Sequence, residues 1–188
     1  MTKCPTPAQT VGPFFTIGLR SLGRADSHSA EISADEVCVS GRVLDGDGIG
    51  VNDALIELWH ADASGRCGGF AEAEENANSD CAKFFRLQTD EQGGFSFQTI
   101  RPGRVAGPDG KLQAPHIVVI LFMRGLLRYL VTRIYFPDEP ANAEDAIWAL
   151  VPEARRASLL LKKVTPGENH YEWNVVLQGT NETVFFDW

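Results

Sequence analysis

At 188 residues the chain has room for one domain, or for one domain carrying an extended arm. Its 44% hydrophobic and 22% charged residues are those of an ordinary globular protein. A formal net charge of −8 argues against nucleic acid as a partner, because phosphate binding needs a basic face, and it makes any anion site depend on locally placed arginines. No apolar stretch precedes Pro5, and the longest apolar run, 117–123, is far too short to span a bilayer. Cys4, Cys38, Cys67 and Cys81 show no CxxC spacing. The expectation is a cytoplasmic chain with free thiols and no membrane association.

Residues 1–36 carry few strand or helix signals: Pro5, Pro7 and Pro13 come first, then a small-polar stretch at 21–34. Such composition suits an extended arm lying on a partner's surface, with residues 37–188 forming the main domain. The apolar cluster Phe14-Phe15-Thr16-Ile17-Gly18-Leu19 within the arm needs something to dock on. From Val37 the apolar period becomes two, and Asp45-Gly46-Asp47-Gly48 marks a turn. A second strand is predicted over 54–60, followed by a long polar loop to about residue 83. Segments 85–89 and 95–100 read as a hairpin across Asp90-Glu91-Gln92-Gly93-Gly94. The most apolar strands are predicted at 116–122 and 129–136, around Arg124-Gly125-Leu126-Leu127. One helix is expected over 152–161, with Pro152 in its first turn, and a late strand over 170–177. The whole is mainly β: an antiparallel β-sandwich with an extended N-terminal arm and one or two short helices.

Several residues invite chemistry, and each has a plainer reading. Asp45-Gly46-Asp47-Gly48 fails as a calcium loop, because Ile49 takes the third acidic position and Ile56 the twelfth, so a tight turn is the better reading. Cys67 follows Arg66, but no histidine is adjacent to activate its thiol. His116 opens an apolar strand whose next same-face residues are Val118 and Ile120, so no ligand set converges on it. His60 and His170 likewise have no spaced partners and read as structural or exposed. Arg133 lies in Leu130-Val131-Thr132-Arg133-Ile134-Tyr135-Phe136, where an arginine is costly unless paired with a carboxylate or an anionic ligand. A structural ion pair and a functional role are both open for it.

Taken together, several segments resemble the intradiol ring-cleaving dioxygenases. They are Thr6-Pro7-Ala8-Gln9-Thr10-Val11-Gly12-Pro13-Phe14, Leu58-Trp59-His60-Ala61-Asp62-Ala63-Ser64-Gly65, Ile100-Arg101-Pro102-Gly103, Ala114-Pro115-His116-Ile117 and Thr132-Arg133-Ile134-Tyr135-Phe136-Pro137. The ending Gln178-Gly179-Thr180-Asn181-Glu182-Thr183-Val184-Phe185-Phe186-Asp187 is similar to the alpha chain of the family's two-subunit members. The resemblance implies a β-sandwich in which two tyrosines and two histidines hold ferric iron. It places Cys67 and Val105 at the tyrosine positions, and His116 and Val118 at the His-x-His pair. Three of the four ligands are missing, so the resemblance implies no metal bound by this chain and Fe(III) in a partner beta subunit.

It further implies a catalytic pocket at the alpha–beta interface, taking a small aromatic diol that bears a carboxylate and opening its ring with O2. Thr10, Gly12, Pro13 and Phe14 would line that pocket, and Arg133 would stand near the substrate side of the partner's iron. Phe14 occupies a place where a tyrosine is often found, so it brings no hydroxyl. Two alternatives remain: a stand-alone binding module, and an independent enzyme using Cys67 or a non-standard metal at His116.

Overall fold

The computed structural model describes residues 6–19, 36–67, 83–107, 110–165 and 169–187. Among the described residues, nine strands form two facing sheets. In the first, β4 (Gly94–Ile100), β1 (Glu36–Leu44), β8 (His170–Glu172) and β7 (Lys162–Lys163) lie in that order, and β9 (Val175–Val176) pairs with β1. The second is ordered β3 (Lys83–Gln88), β2 (Leu55–His60), β5 (His116–Phe122) and β6 (Leu130–Tyr135). Pairing is antiparallel except between β1 and its neighbours β8 and β9.

Alternation explains the architecture. Val37, Val39 and Val43 of β1 turn inward, while Ser40 and Arg42 face solvent. They meet Ile56 and Leu58 of β2, Phe85 and Leu87 of β3, Phe95 and Phe97 of β4, and Ile117, Val119 and Leu121 of β5 in one buried core. Each large side chain fully buried this way stabilises the fold by roughly 1.5–3 kcal/mol. The opposite face of the second sheet, carrying His116 and Tyr135, is covered by a smaller cluster of Ala114, Tyr135, Ala141, Val151 and Leu159. The connection after β6 supplies that cover through 3₁₀ turns Pro140–Glu144 and Glu153–Leu159 and a short helix α2, Ala146–Leu150.

The expected hairpin across residues 90–94 does not form. The turn itself is sound, with Asp90 Oδ1 accepting the N–H groups of Gln92 and Gly94. Yet β3 pairs with β2 and β4 with β1, so this turn carries the chain from one sheet to the other. Both strands bury alternate aromatics, which in a sandwich face each other across the core, as Phe85 and Phe97 do at 5.9 Å. The expected helix over 152–161 is a 3₁₀ segment, Glu153–Leu159, with Pro152 at its cap.

The late strand is broken at Trp173-Asn174. There the Asn174 side chain, rather than a backbone carbonyl, accepts Arg42 N–H at 2.8 Å, and Trp173 N–H donates to Ser40 O. This close approach needs Gly41, because a Cβ there would sit 1.7 Å from the Trp173 carbonyl oxygen. Gly41→Ala is therefore expected to cost about 2 kcal/mol or more. A urea midpoint unchanged from the parent's would contradict this packing.

The N-terminal segment is not wholly extended. Residues Pro13–Leu19 form a helix, α1. It is held by Phe15 packing on Phe122 at 5.4 Å and by the buried Thr16 hydroxyl donating to Asp53 O. Tertiary docking of one apolar side supplies what local propensity lacks. The predicted small-polar stretch at 21–34, with Cys4 and Cys81, lies outside the described residues. No helix among the described residues is long and apolar enough to cross a membrane.

Candidate functional site

His116 and Val118 lie at one end of the second sheet, and Cys67 and Val105 on loops that lead toward it. Their framework begins at Asp62, just past β2. Its carboxylate accepts the Ser64 and Arg66 N–H groups, the Ser64 hydroxyl and Arg66 Nε, all at 2.7–2.9 Å. Burial alone would raise its pKa, but the hydrogen bonds from Arg66 and Ser64 outweigh that and hold the carboxyl well below the ordinary 3.8. Stabilisation from this turn is therefore complete above about pH 4 and is lost as the pH falls toward the lowered folded-state value. Asp62→Asn is expected to destabilise most at neutral pH, with the gap from the parent narrowing below pH 4. Parallel acid titrations of denaturation midpoints check this, and a gap constant from pH 7 to pH 2.5 would refute it.

This turn brings the segment leading to Cys67 against the segment leading to Val105. Gly65, at φ +81°, rests against the Arg104 carbonyl, where a Cβ would come within 2.0 Å. Gly103 N–H donates to Asp62 O at 2.8 Å. Cys67 and Val105 each lie two residues beyond that glycine contact. Val105 O in turn accepts Gln113 N–H at 2.8 Å, which ties this loop to the approach to β5.

On β5, His116 and Val118 leave the sheet on the face away from the main core. Their cross-strand partners are Tyr135 and Arg133, so four side chains share one face. Arg133 is only 6% exposed, and its Nη1 donates to Gln113 Oε1 at 2.7 Å and to Tyr135 Oη at 3.4 Å. His116 Nδ1 lies 2.8 Å from Ala114 O. A carbonyl only accepts, so Nδ1 carries the proton and Nε2 the lone pair. Burial, with the nearby Arg133 charge, pushes His116 down to about 4, so the ring is neutral at physiological pH. Burial also pushes Tyr135 up to about 12, against the opposing influence of Arg133, so its phenol keeps its proton.

The support beneath is Asp145, which is fully buried. It caps α2 by accepting from Ile147 and Trp148 N–H and also accepts Ala114 N–H at 2.8 Å. Sequence reasoning singled out His116 and Arg133 but missed Gln113, Tyr135 and Asp145. Asp145 did carry a signal, an aspartate directly before Ala146-Ile147-Trp148. The other histidine near the sheet end, His60, is a core residue whose ring nitrogens meet Ala61 O and Thr99 Oγ1.

These residues do not fit a ferric ion. Hard ferric iron needs anionic oxygen or imidazole donors. Val105 and Val118 offer none, and Cys67 is an exposed residue whose thiol is pushed up by burial and by the Asp62 charge. His116 is the one donor left among the four positions. Arg66, the cation next to Cys67 in sequence, pairs with Asp62.

The arm residues lie away from this cluster. Thr10 Oγ1 accepts Gly125 N–H at 2.8 Å, and α1 sits on Phe122, at the other end of β5. Phe122 is six steps along the strand from His116, roughly 20 Å. Thr10, Gly12 and Phe14 are exposed there.

Comparison with known proteins identifies the family. A family model described as Dioxygenase matches residues 20–179, and the chain belongs to that dioxygenase family. The protocatechuate 3,4-dioxygenase alpha chain of Burkholderia cepacia is 40% identical over 97% of this chain and 96% of its own length. The protocatechuate 3,4-dioxygenase beta chain of the same species is 34% identical, over 82% of this chain and 69% of that one. Among solved structures, the dioxygenase domain of a carbohydrate-binding fusion protein from Streptomyces sp. SirexAA-E superposes with a TM-score of 0.57. It is 27% identical, and the match covers 96% of this chain and all of that one.

Proposed function

We propose that the chain is the alpha subunit of a protocatechuate 3,4-dioxygenase. It works with a beta subunit that carries Fe(III), and together they convert protocatechuate and O2 to 3-carboxy-cis,cis-muconate in the cytoplasm. End-to-end similarity to an alpha chain carries this reading. The donor-poor cluster at His116 supports it, since the chemistry then needs iron held elsewhere.

In this reading residues 1–36 are the arm that packs on the beta subunit. Thr10, Gly12, Pro13 and Phe14 line a pocket shared with it, where apolar walls exclude water. The surface around them suits such a role. Phe14 is 82% and Ile17 61% exposed on α1, and Leu127 (62%) and Tyr129 (57%) are exposed on the adjoining β5–β6 connection. Phe122, which touches both Phe15 and Tyr129, joins the two elements into one patch. Contiguous apolar surface of this kind marks an interface and disfavours a stand-alone module. Arg133 lies toward the other end of β5, so its proposed contribution to the beta subunit's site is made there, apart from the arm, and only through its small exposed edge, because its partners Gln113 and Tyr135 lie in its own chain.

The test is reconstitution. Protocatechuate-dependent O2 uptake is expected only when this chain and an iron-bearing beta chain are both present. Full activity of either chain alone would sink the proposal.

A further inference from the structure

The arm is fastened to its own chain. Thr10 Oγ1 accepts Gly125 N–H at 2.8 Å, the Phe15 ring lies 5.4 Å from that of Phe122, and the buried Thr16 hydroxyl donates to Asp53 O at 3.4 Å. Phe122 and Gly125 belong to β5 and its connection to β6, whereas Asp53 lies in the turn before β2. Arg124 closes the arrangement, because its Nε donates to the Asp53 carboxylate. Asp53 therefore meets both elements: its carbonyl takes α1, and its carboxylate takes the β5–β6 connection. The Asp53 side chain is 21% exposed and that of Arg124 60%. α1 has seven residues, too few to stay helical unaided. Its exposed Phe14 and Ile17 are held relative to Leu127 and Tyr129 on the connection through these ties.

We propose that Asp53 is a positioning residue that presets the partner-binding patch, tying α1 and the β5–β6 connection to one point before the beta subunit arrives. The inference rests on the proposed alpha–beta pairing and deepens it. Association then docks a formed surface instead of ordering a loose arm, so less binding free energy is lost to ordering. An arm docked for only part of the time would bind with an affinity reduced by that fraction. Asp53 acts through Thr16 and Arg124 and needs no contact with partner or substrate.

The test uses the full 188-residue chain and an iron-bearing beta chain. Asp53→Lys and Arg124→Glu each set like charges together in place of the pair, and the double variant restores an opposite pair. Two readouts are taken: hydrogen exchange of the Gly125 amide in the isolated chain, and the alpha–beta Kd by calorimetry. Gly125 N–H donates to Thr10 of the arm, so its exchange reports arm docking directly. Each single variant is expected to speed that exchange and raise Kd at least fivefold, with both values back within twofold of the parent's in the double variant. Turnover at saturating beta chain should stay at the parent's level throughout. Because Arg124 is largely exposed, Arg124→Glu keeps the test open if Asp53→Lys fails to fold. Unchanged exchange in the singles, faster exchange with an unchanged Kd, or a double variant as weak as the singles overturns the proposal alone. A parent chain that binds no beta chain overturns the pairing and, with it, this role for Asp53.

Discussion

Phe14→Asp is expected to separate the proposed alpha–beta pair at micromolar protein and to remove dioxygenase turnover in step with dissociation. Phe14 contributes little to its own fold, since its side chain is 82% exposed while its neighbour Phe15 makes the contact with Phe122. An aromatic left outside the core, beside Ile17, Leu127 and Tyr129, has the character of an interface anchor. Truncating such an anchor typically costs about 2–4 kcal/mol of binding, or roughly 30- to 1,000-fold in Kd. Placing a carboxylate against an apolar partner adds a desolvation penalty to that loss. Sedimentation velocity reads the dissociation, and circular dichroism reads the fold, which should be unchanged. A stable, active Phe14→Asp complex would remove the arm from the interface.

The second large effect falls on stability. Asp145→Ala is expected to cost about 3 kcal/mol, combining a lost helix cap of about 1 kcal/mol with a buried backbone N–H left without its acceptor. One carboxylate performs both tasks, accepting from Ile147 and Trp148 at the start of α2 and from Ala114 just before β5. It thereby fixes the cover over Tyr135, whose ring meets Trp148 at 5.0 Å. For a chain of this size the fall in Tm is about 6–12 °C. Asp145→Asn keeps an acceptor and should lose less. A Tm for Asp145→Ala within 2 °C of the parent's would contradict the structure.

Much of this was legible in the sequence, for identifiable reasons. Alternation gave β1, whose Val37, Val39 and Val43 are buried while Ser40 and Arg42 are exposed, and apolar runs gave β5 and β6, all to within a residue or two. The His-x-Val spacing on β5 correctly put His116 and Val118 on one face. Sheet membership was not legible: Asp90–Gly94 makes the same turn whether it closes a hairpin or crosses between sheets, and only the partners β1 and β2 decide. Helix α1 was hidden because its stability comes from Phe122 and Asp53, more than thirty residues away. Arg133 was flagged as costly, but its acceptors could not be read off, since Gln113 reaches it from a loop twenty residues earlier. Nor could the arm be placed. Its docking at Gly125 and Phe122, away from His116, emerges only from the packing.

Metal analysis of the separated subunits tests the central claim most directly. Purified with its beta partner and then resolved under mild denaturant, this chain should carry less than about a tenth of an equivalent of iron, and the beta chain should carry all the rest. Stoichiometric ferric iron in this chain, with the visible absorption of a tyrosinate complex, would contradict it.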